Sequence, residues 1–425
     1  MGKLMRMGSR KLLIPVCGVV LLSGCGFREE EVVIQEEEGI VLTVLAGQST
    51  SDAGIEDMID EALKEAFPKV KLEWECVDWG EQFGDLMQAR ISAGDIPDLI
   101  VGKAQDIHAY QASGNLAEIP DSCSSKIESR ALEAVTVDGK VYGVPYNAWY
   151  QGVIYHKEMF ERLGLEVPET KKELRQVIRK LEQHGITPFA SHFQESWKVG
   201  NMNMQFLMNQ VFIRQEDWGE SFRRGETGFQ DDRRVRSCLR ETRRIWKHSW
   251  KDALLIDQFE SDNRFFEGEA AMYLTGSWSM QFAAQYGEDG EFGIFPYPNE
   301  QGDARLIRET NMTFMKSAKT PYGDLVDDIL EFLLTDRELA EEILDFTQTF
   351  SVVKGTQAKT ENVLSGDIRA YEEAGKVTDV TVGNSQLIWP FQNEVAAVQL
   401  LWLQGKKTLR EVLAFADEHR SESGF

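Results

Sequence analysis

The alternation between Ile40 and Val101 constrains the fold more than any other stretch of the chain. The apolar run Ile40 to Ala46 ends in Gly47-Gln48-Ser49-Thr50-Ser51-Asp52, which reads as a buried strand followed by a loop. Ser51 or Asp52 can cap a helix in which Ile55, Met58, Ile59, Ala62, Leu63 and Ala66 recur at helical spacing until Pro68. Val70, Leu72, Trp74 and Cys76 then alternate with Lys71, Glu73 and Glu75, the period of a strand. A second helix fits Glu81 to Ala93, closed by Gly94, and Asp98 to Val101 behind Pro97 reads as a third strand. An order of β-α-β-α-β predicts an α/β fold with parallel strands and helical crossovers.

Downstream the pattern loosens. Asp138-Gly139-Lys140 is a turn between β-like segments, and Val141 to Tyr155 is rich in aromatics and glycine. Pro168 to Gln183 reads as a capped helix, with Glu169, Thr170 and Glu173 near its start. Arg233 to Lys247 is a basic helix, and Phe265 to Trp278 is a turn, a strand and a loop. Asp324 to Phe346 and Asn393 to His419 are mostly helical, and no internal repeat is visible.

The N-terminus is an address rather than a fold. Lys3, Arg6, Arg10 and Lys11 precede the apolar run Leu12 to Leu22, as in a secretory signal peptide whose apolar region is roughly 7–15 residues long. That run is shorter than the roughly 20 residues that span a bilayer. It ends in Leu22-Ser23-Gly24-Cys25, which resembles the bacterial lipobox. That resemblance implies cleavage after residue 24, acylation of Cys25 and a membrane anchor. Residues 25–39, with Glu29-Glu30-Glu31 and Glu36-Glu37-Glu38, form an acidic tether.

With 46 basic and 70 acidic residues the chain carries a net charge of −24, which argues against nucleic-acid binding, since that wants a basic footprint. Of the five cysteines, Cys17 leaves with the signal and Cys25 takes the lipid. Cys76, Cys123 and Cys238 are too few and too widely spaced for a disulfide framework or a zinc site. The six histidines show no metal-ligand spacing, no glycine-rich phosphate loop is present, and Gly276-Ser277-Trp278-Ser279 lacks the second glycine of a nucleophile elbow.

Several local patterns, in order along the chain, carry a resemblance. They are Ala93-Gly94-Asp95-Ile96-Pro97-Asp98-Leu99-Ile100, Ser113-Gly114-Asn115-Leu116-Ala117-Glu118-Ile119, Asp138 to Tyr146 (DGKVYGVPY), Tyr155-His156-Lys157, and Phe266-Glu267-Gly268-Glu269-Ala270-Ala271-Met272 followed by Gly276-Ser277-Trp278. Together they resemble the extracellular solute-binding proteins of ABC importers, in the carbohydrate-binding branch that includes maltodextrin-binding protein. His156 stands where that family usually has asparagine, and Gly102 stands where the maltodextrin relative has an aromatic, which counts against maltodextrin itself.

The resemblance implies a two-lobed fold, each lobe a mostly parallel sheet flanked by helices, with a ligand cleft between them. It implies an N-lobe from residues 40–135 and 308–335 and a C-lobe from residues 136–307 and 336–425. It further implies a monomeric, non-catalytic protein without cofactor that closes around its solute and docks on membrane permease subunits.

Sugars present apolar faces and hydroxyl edges, so a sugar site wants aromatic platforms and directed polar groups. The resemblance points to Trp278, Trp389 and Trp149 as stacking or cleft-facing aromatics, with Tyr146, Trp197 and Trp79 as further candidates. Core packing is the default reading for any one of them. Gln48 and Ser49 after the first strand, and Lys103, Gln105 and Asp106 after the third, stand at the carboxyl ends where open parallel sheets bind ligands. Asp98 reads as a structural hydrogen-bonder. The arginines of residues 233–244 read as a solvated helix face rather than an anion site. The competing readings are a binding protein for a peptide or polyamine, and a secreted glycoside hydrolase, which would need two carboxylates about 5–9.5 Å apart.

Overall fold

The computed structural model describes residues 39–47, 54–77, 81–286, 291–382 and 387–423. The signal segment, Cys25, the tether to residue 38, and the candidates Gln48, Ser49 and Trp79 lie outside the described residues. So do the caps expected at Ser51 or Asp52. Gly54, in the left-handed region at φ 65°, directly precedes the first described helix and offers no side-chain cap.

The expected β-α-β-α-β unit is present. Strand β1 (Ile40–Gly47) pairs in parallel with β2 (Val70–Val77) and β3 (Leu99–Gly102). The helices Ile55–Ala66 and Glu81–Ala93 form the crossovers. Asp98 stands just before β3, and its carboxylate is spent locally. One oxygen accepts the Thr43 N–H at 2.8 Å and hydroxyl at 2.9 Å, and the other accepts the Thr320 hydroxyl at 2.6 Å.

A two-residue turn follows. Asp138 at φ 51° and Gly139 at φ 77° join β4 (Thr136–Val137) to β5 (Lys140–Val141), the left-handed pair that a tight hairpin requires. The aromatic stretch after it is one 13-residue strand, β6 (Val144–His156). Further along come β7 (Thr187–Ala190), β8 (Ala270–Gly276), β9 (Phe292–Phe295), the 11-residue β10 (Leu306–Lys316), β11 (Phe350–Ser351) and β12 (Val377–Asp379).

The sheet runs β2-β1-β3-β10-β6-β8-β7, with β9 and β11 added on β6 and β12 on β10. Its pairing is mixed. The parallel pairing expected of each half holds for β2-β1-β3 and for β7-β8, while β10 is antiparallel to β3 and β6, and β6 is antiparallel to β8 and β9. The cause is the two long strands. The C-terminal end of β10 (Thr313–Lys316) pairs with β3, and the C-terminal end of β6 (Gln151–His156) pairs with β8 and β9. Between those ends β6 and β10 pair with each other from Val144 opposite Phe314 to Gln151 opposite Ile307. They therefore run continuously from one half of the sheet to the other.

Burial follows the same division. One core holds Leu42, Val44, Leu72, Val101, Phe314 and Ile329, and another holds Val153, Leu181, Phe206, Leu239, Met272 and Val395. Leu339, Ala340 and Ile343 of the helix Arg337–Thr347, with Val352 and Val353, belong to the first core. Sequence boundaries alone would put them in the second half.

The capped helix is Lys171–Gln183. Its Thr170 hydroxyl accepts the Glu173 N–H at 3.2 Å, and the Glu173 carboxylate accepts the Thr170 N–H at 3.0 Å. The basic helix is Arg233–Lys247. It buries Val235, Cys238, Leu239 and Ile245 and turns its arginines outward. Arg234 pairs with Asp232 at 2.7 Å, and Arg244 pairs with Glu241 at 3.1 Å. This is the balanced, solvated face that the composition suggests.

Candidate functional site

The strand period decides which side chains of β6 can share a site. Residues 147, 149 and 151 lie on one face and 146, 148 and 150 on the other. Trp149 stands opposite Glu309 of β10, and Gln151 is the next residue on its face. Tyr146 faces the other way, buried in the first core against Phe314 with ring centroids 6.1 Å apart. Burial pushes its hydroxyl well above the usual phenol range. An odd spacing on the strand thus puts the candidate Tyr146 on the opposite face from Trp149.

A polar chain starts at Glu309. Its carboxylate accepts from Lys103 Nζ at 3.2 Å and from Gln151 Nε2. The Gln151 amide oxygen accepts from Asn201 Nδ2 at 2.9 Å, and the Asn201 oxygen accepts from Gln205 Nε2 at 3.0 Å. Gln205 also donates to the Thr275 carbonyl at 3.2 Å. All four of Glu309, Gln151, Asn201 and Gln205 are buried. The chain runs from the loop after β3, across both long strands, into the helix Ser196–Gln210 and on to β8.

Lys103 also lies 4.6 Å from the Trp389 ring centroid, within cation–π range. Trp389 opens the helix Trp389–Leu403, with Pro390 next to it. Its backbone N–H donates to the buried carboxylate of Asp106, which burial pushes up to about 6, partly offset by Lys103 and by that hydrogen bond. One oxygen of Asp106, Oδ1, has no hydrogen-bond partner among the described residues. Gln105 sits between Lys103 and Asp106 in the short helical turn Ala104–Asp106. Lys103 and Asp106, which follow β3, therefore meet Trp389 from the other end of the chain.

Trp278 lies just beyond β8. Its ring meets Trp149 edge to face, centroids 5.4 Å apart at 65°. Gly276, opposite Gln151 in the sheet, makes room for it: a Cβ there would lie 2.0 Å from the Trp278 ring. Both tryptophans are half-buried. Edge-to-face indoles beside a row of carboxylate, amide and ammonium groups combine an apolar face with directed polar atoms, the two elements that a sugar site requires.

Trp197 joins a different set. It lies 5.2 Å from His192 and donates to Glu195. His192 itself is fully buried, and burial pushes it down to about 4.

Sequence reasoning brings Trp149, Trp278, Trp389, Lys103 and Asp106 to this region and misses Glu309, Gln151, Asn201 and Gln205. Its available signal was the run Arg308-Glu309-Thr310-Asn311 between Leu306-Ile307 and Met312. Charged and amide residues in the middle of a buried strand demand partners.

A bacterial extracellular solute-binding protein family model matches residues 46–340. The chain belongs to that family, whose members bind solutes and are not enzymes. It is 23% identical over 350 residues to the multiple sugar-binding protein of Streptococcus mutans, covering 80% of each chain. It is 24% identical over 297 residues to a maltodextrin-binding protein of Bacillus subtilis, covering 66% of this chain and 68% of that one. Among solved structures it resembles a chitin oligosaccharide binding protein with a TM-score of 0.75 at 20% identity, over 90% of this chain and 98% of that one. It also resembles the solute-binding protein RafE in complex with raffinose, with a TM-score of 0.71 at 19% identity, over 90% and 100% of the two chains. These likenesses show the periplasmic-binding-protein fold. Among the described residues no helix is long and apolar enough to cross a membrane.

Proposed function

We propose that this protein captures a sugar or oligosaccharide outside the membrane and delivers it to the permease subunits of an ABC importer. The observation that carries this reading is the Trp149–Trp278 pair set beside the Lys103–Glu309–Gln151–Asn201 chain. The names of the relatives, sugar binders among them, support it. In this reading residues 40–135 and 308–335, with the helix Arg337–Thr347, form one lobe and most of the remainder forms the other. β6 and β10 are the strands across which the lobes close. Trp278, Trp389 and Trp149 stack on the sugar while Lys103, Asp106 and Glu309 take its hydroxyls. The protein acts as a monomer held to the outer face of the membrane by acyl chains on Cys25, with the acidic segment as its tether.

A thermal-shift screen of the protein against mono- and oligosaccharides, peptides and polyamines tests this. A ligand at 100 times its dissociation constant adds about 2.7 kcal/mol. A raised melting temperature with one sugar, recovered unconsumed, supports the reading. A shift with a peptide or polyamine alone overturns the sugar, and consumption of the sugar overturns the transport role.

A further inference from the structure

Trp278 is bracketed by two serines that are both completely buried. The Ser277 hydroxyl accepts the Tyr150 N–H at 3.1 Å, which ties one side of the loop to β6. The Ser279 hydroxyl lies 3.2 Å from the Thr275 hydroxyl and donates to Asp262 Oδ1 at 3.4 Å. Asp262 sits in the helix Gln258–Phe266 and is 1% exposed, and its other oxygen accepts from Gln258 Nε2 at 3.2 Å.

A carboxylate is costly to bury, and this one has a buried cation for company. Lys198, in the first turn of the helix Ser196–Gln210, is 0% exposed. Its ammonium donates to the Leu274 carbonyl at 2.8 Å and lies 4.4 Å from the Tyr273 ring centroid. Burial raises the Asp262 carboxyl and lowers the Lys198 ammonium from their ordinary values, and each charge steadies the other. Both groups flank β8 where it ends in Gly276, two residues before the indole. The polar chain from Glu309 reaches the same strand end at the Thr275 carbonyl.

We infer that Asp262, acting through Ser279, is the positioning residue that fixes the Trp278 ring against Trp149. A packing role alone asks for no charge behind this loop. A hydrogen-bond acceptor that cannot rotate away helps to hold a half-buried ring in one orientation, because packing covers only part of the ring. The Lys198 charge works against the burial that raises the Asp262 carboxyl. The ligand platform is thereby set before any ligand arrives. This inference rests on the reading of Trp278 as the platform.

The test uses the intact protein and two readouts. Indoles 5.4 Å apart couple their transitions, and the Trp149–Trp278 pair contributes a bisignate circular-dichroism band that Trp278→Phe identifies by its loss. Ser279→Ala removes one oxygen and leaves Lys198 and Asp262 in place. It is expected to lose that band while keeping the helical signal. It is also expected to weaken roughly tenfold the binding of the sugar that stabilises the wild type, the scale of one hydrogen bond to a charged group.

Asp262→Leu, which has no acceptor for the Ser279 hydroxyl, and Asp262→Leu with Lys198→Met should the single variant fail to fold, is expected to do the same. The double variant with Ser279→Ala is expected to be no weaker than the weaker single, since one contact cannot be lost twice. A band unchanged in Ser279→Ala, or effects that add, overturns the inference. If no sugar binds the wild type, the functional reading falls, while the band, read without ligand, still decides the positioning.

Discussion

Lys103 and Glu309 meet at 3.2 Å across 206 residues of sequence, with their side chains only 15% and 7% exposed. Removing one partner of such a pair leaves the other charge buried and alone, at a cost of about 3 kcal/mol or more. Lys103→Met is therefore expected to destabilise the protein by that order. Lys103→Met with Glu309→Gln is expected to regain most of it, since a glutamine can still accept from Gln151. Denaturant melts of the two variants check this, and equal losses in both would show that the charge pair is not the operative contact.

The edge-to-face tryptophans carry the ligand reading. Truncating a central aromatic anchor costs about 2 kcal/mol, near 30-fold in affinity. Trp278→Ala is expected to weaken sugar binding by about that factor and to move the melting temperature little, because the ring is half-exposed. Tyr146→Phe is the control: it keeps the ring that packs on Phe314 and is expected to leave affinity unchanged. Calorimetric titration with the sugar found by screening measures both, and unchanged affinity in Trp278→Ala removes it from the site.

How far the sequence spoke depends on how local the signal was. The helix Ile55–Ala66 and its flanking strands follow from periodicity within a dozen residues. The helix Lys171–Gln183 follows from Thr170 and Glu173, whose capping box is complete. β6 was not legible as one strand because it is buried along nearly all of its length, so no alternation marks it. The facing of Tyr146 is fixed only once residues 144–156 are known to be continuous. Glu309, Gln151 and Asn201 were invisible for a different reason. Each is an ordinary polar residue until the pairing of β6 with β10 sets it beside the others.

Asp106 gives the site a pH signature. Its carboxyl, ordinarily near 3.8, is pushed up to about 6 by burial. Between those values the native protein binds more protons than the unfolded chain, so this group's contribution to stability rises as pH falls and is at its least above about pH 6. A shift of about two units corresponds to roughly 3 kcal/mol. The difference in unfolding free energy between the wild type and Asp106→Asn, followed from about pH 7 to pH 4, is expected to move in the wild type's favour by up to that amount. Other carboxylates cancel in the difference. A flat difference would mean that Asp106 titrates as an exposed acid.

Gly276 separates the platform from the fold. A methyl at this position would fall 2.0 to 2.5 Å from three atoms of the Trp278 indole, so Gly276→Ala cannot coexist with the observed ring. What it meets is the outer edge of a half-exposed side chain rather than backbone, and the ring can swing toward solvent. The lost contact with Trp149 is worth about 0.5–1.5 kcal/mol in stability. Loss of the oriented platform is expected to cost affinity as much as Trp278→Ala does, although the tryptophan is still present. Sugar titrations of Gly276→Ala and Trp278→Ala side by side test this. If Gly276→Ala binds like the wild type, the ligand does not read the orientation of Trp278, and the indole serves the site only as bulk.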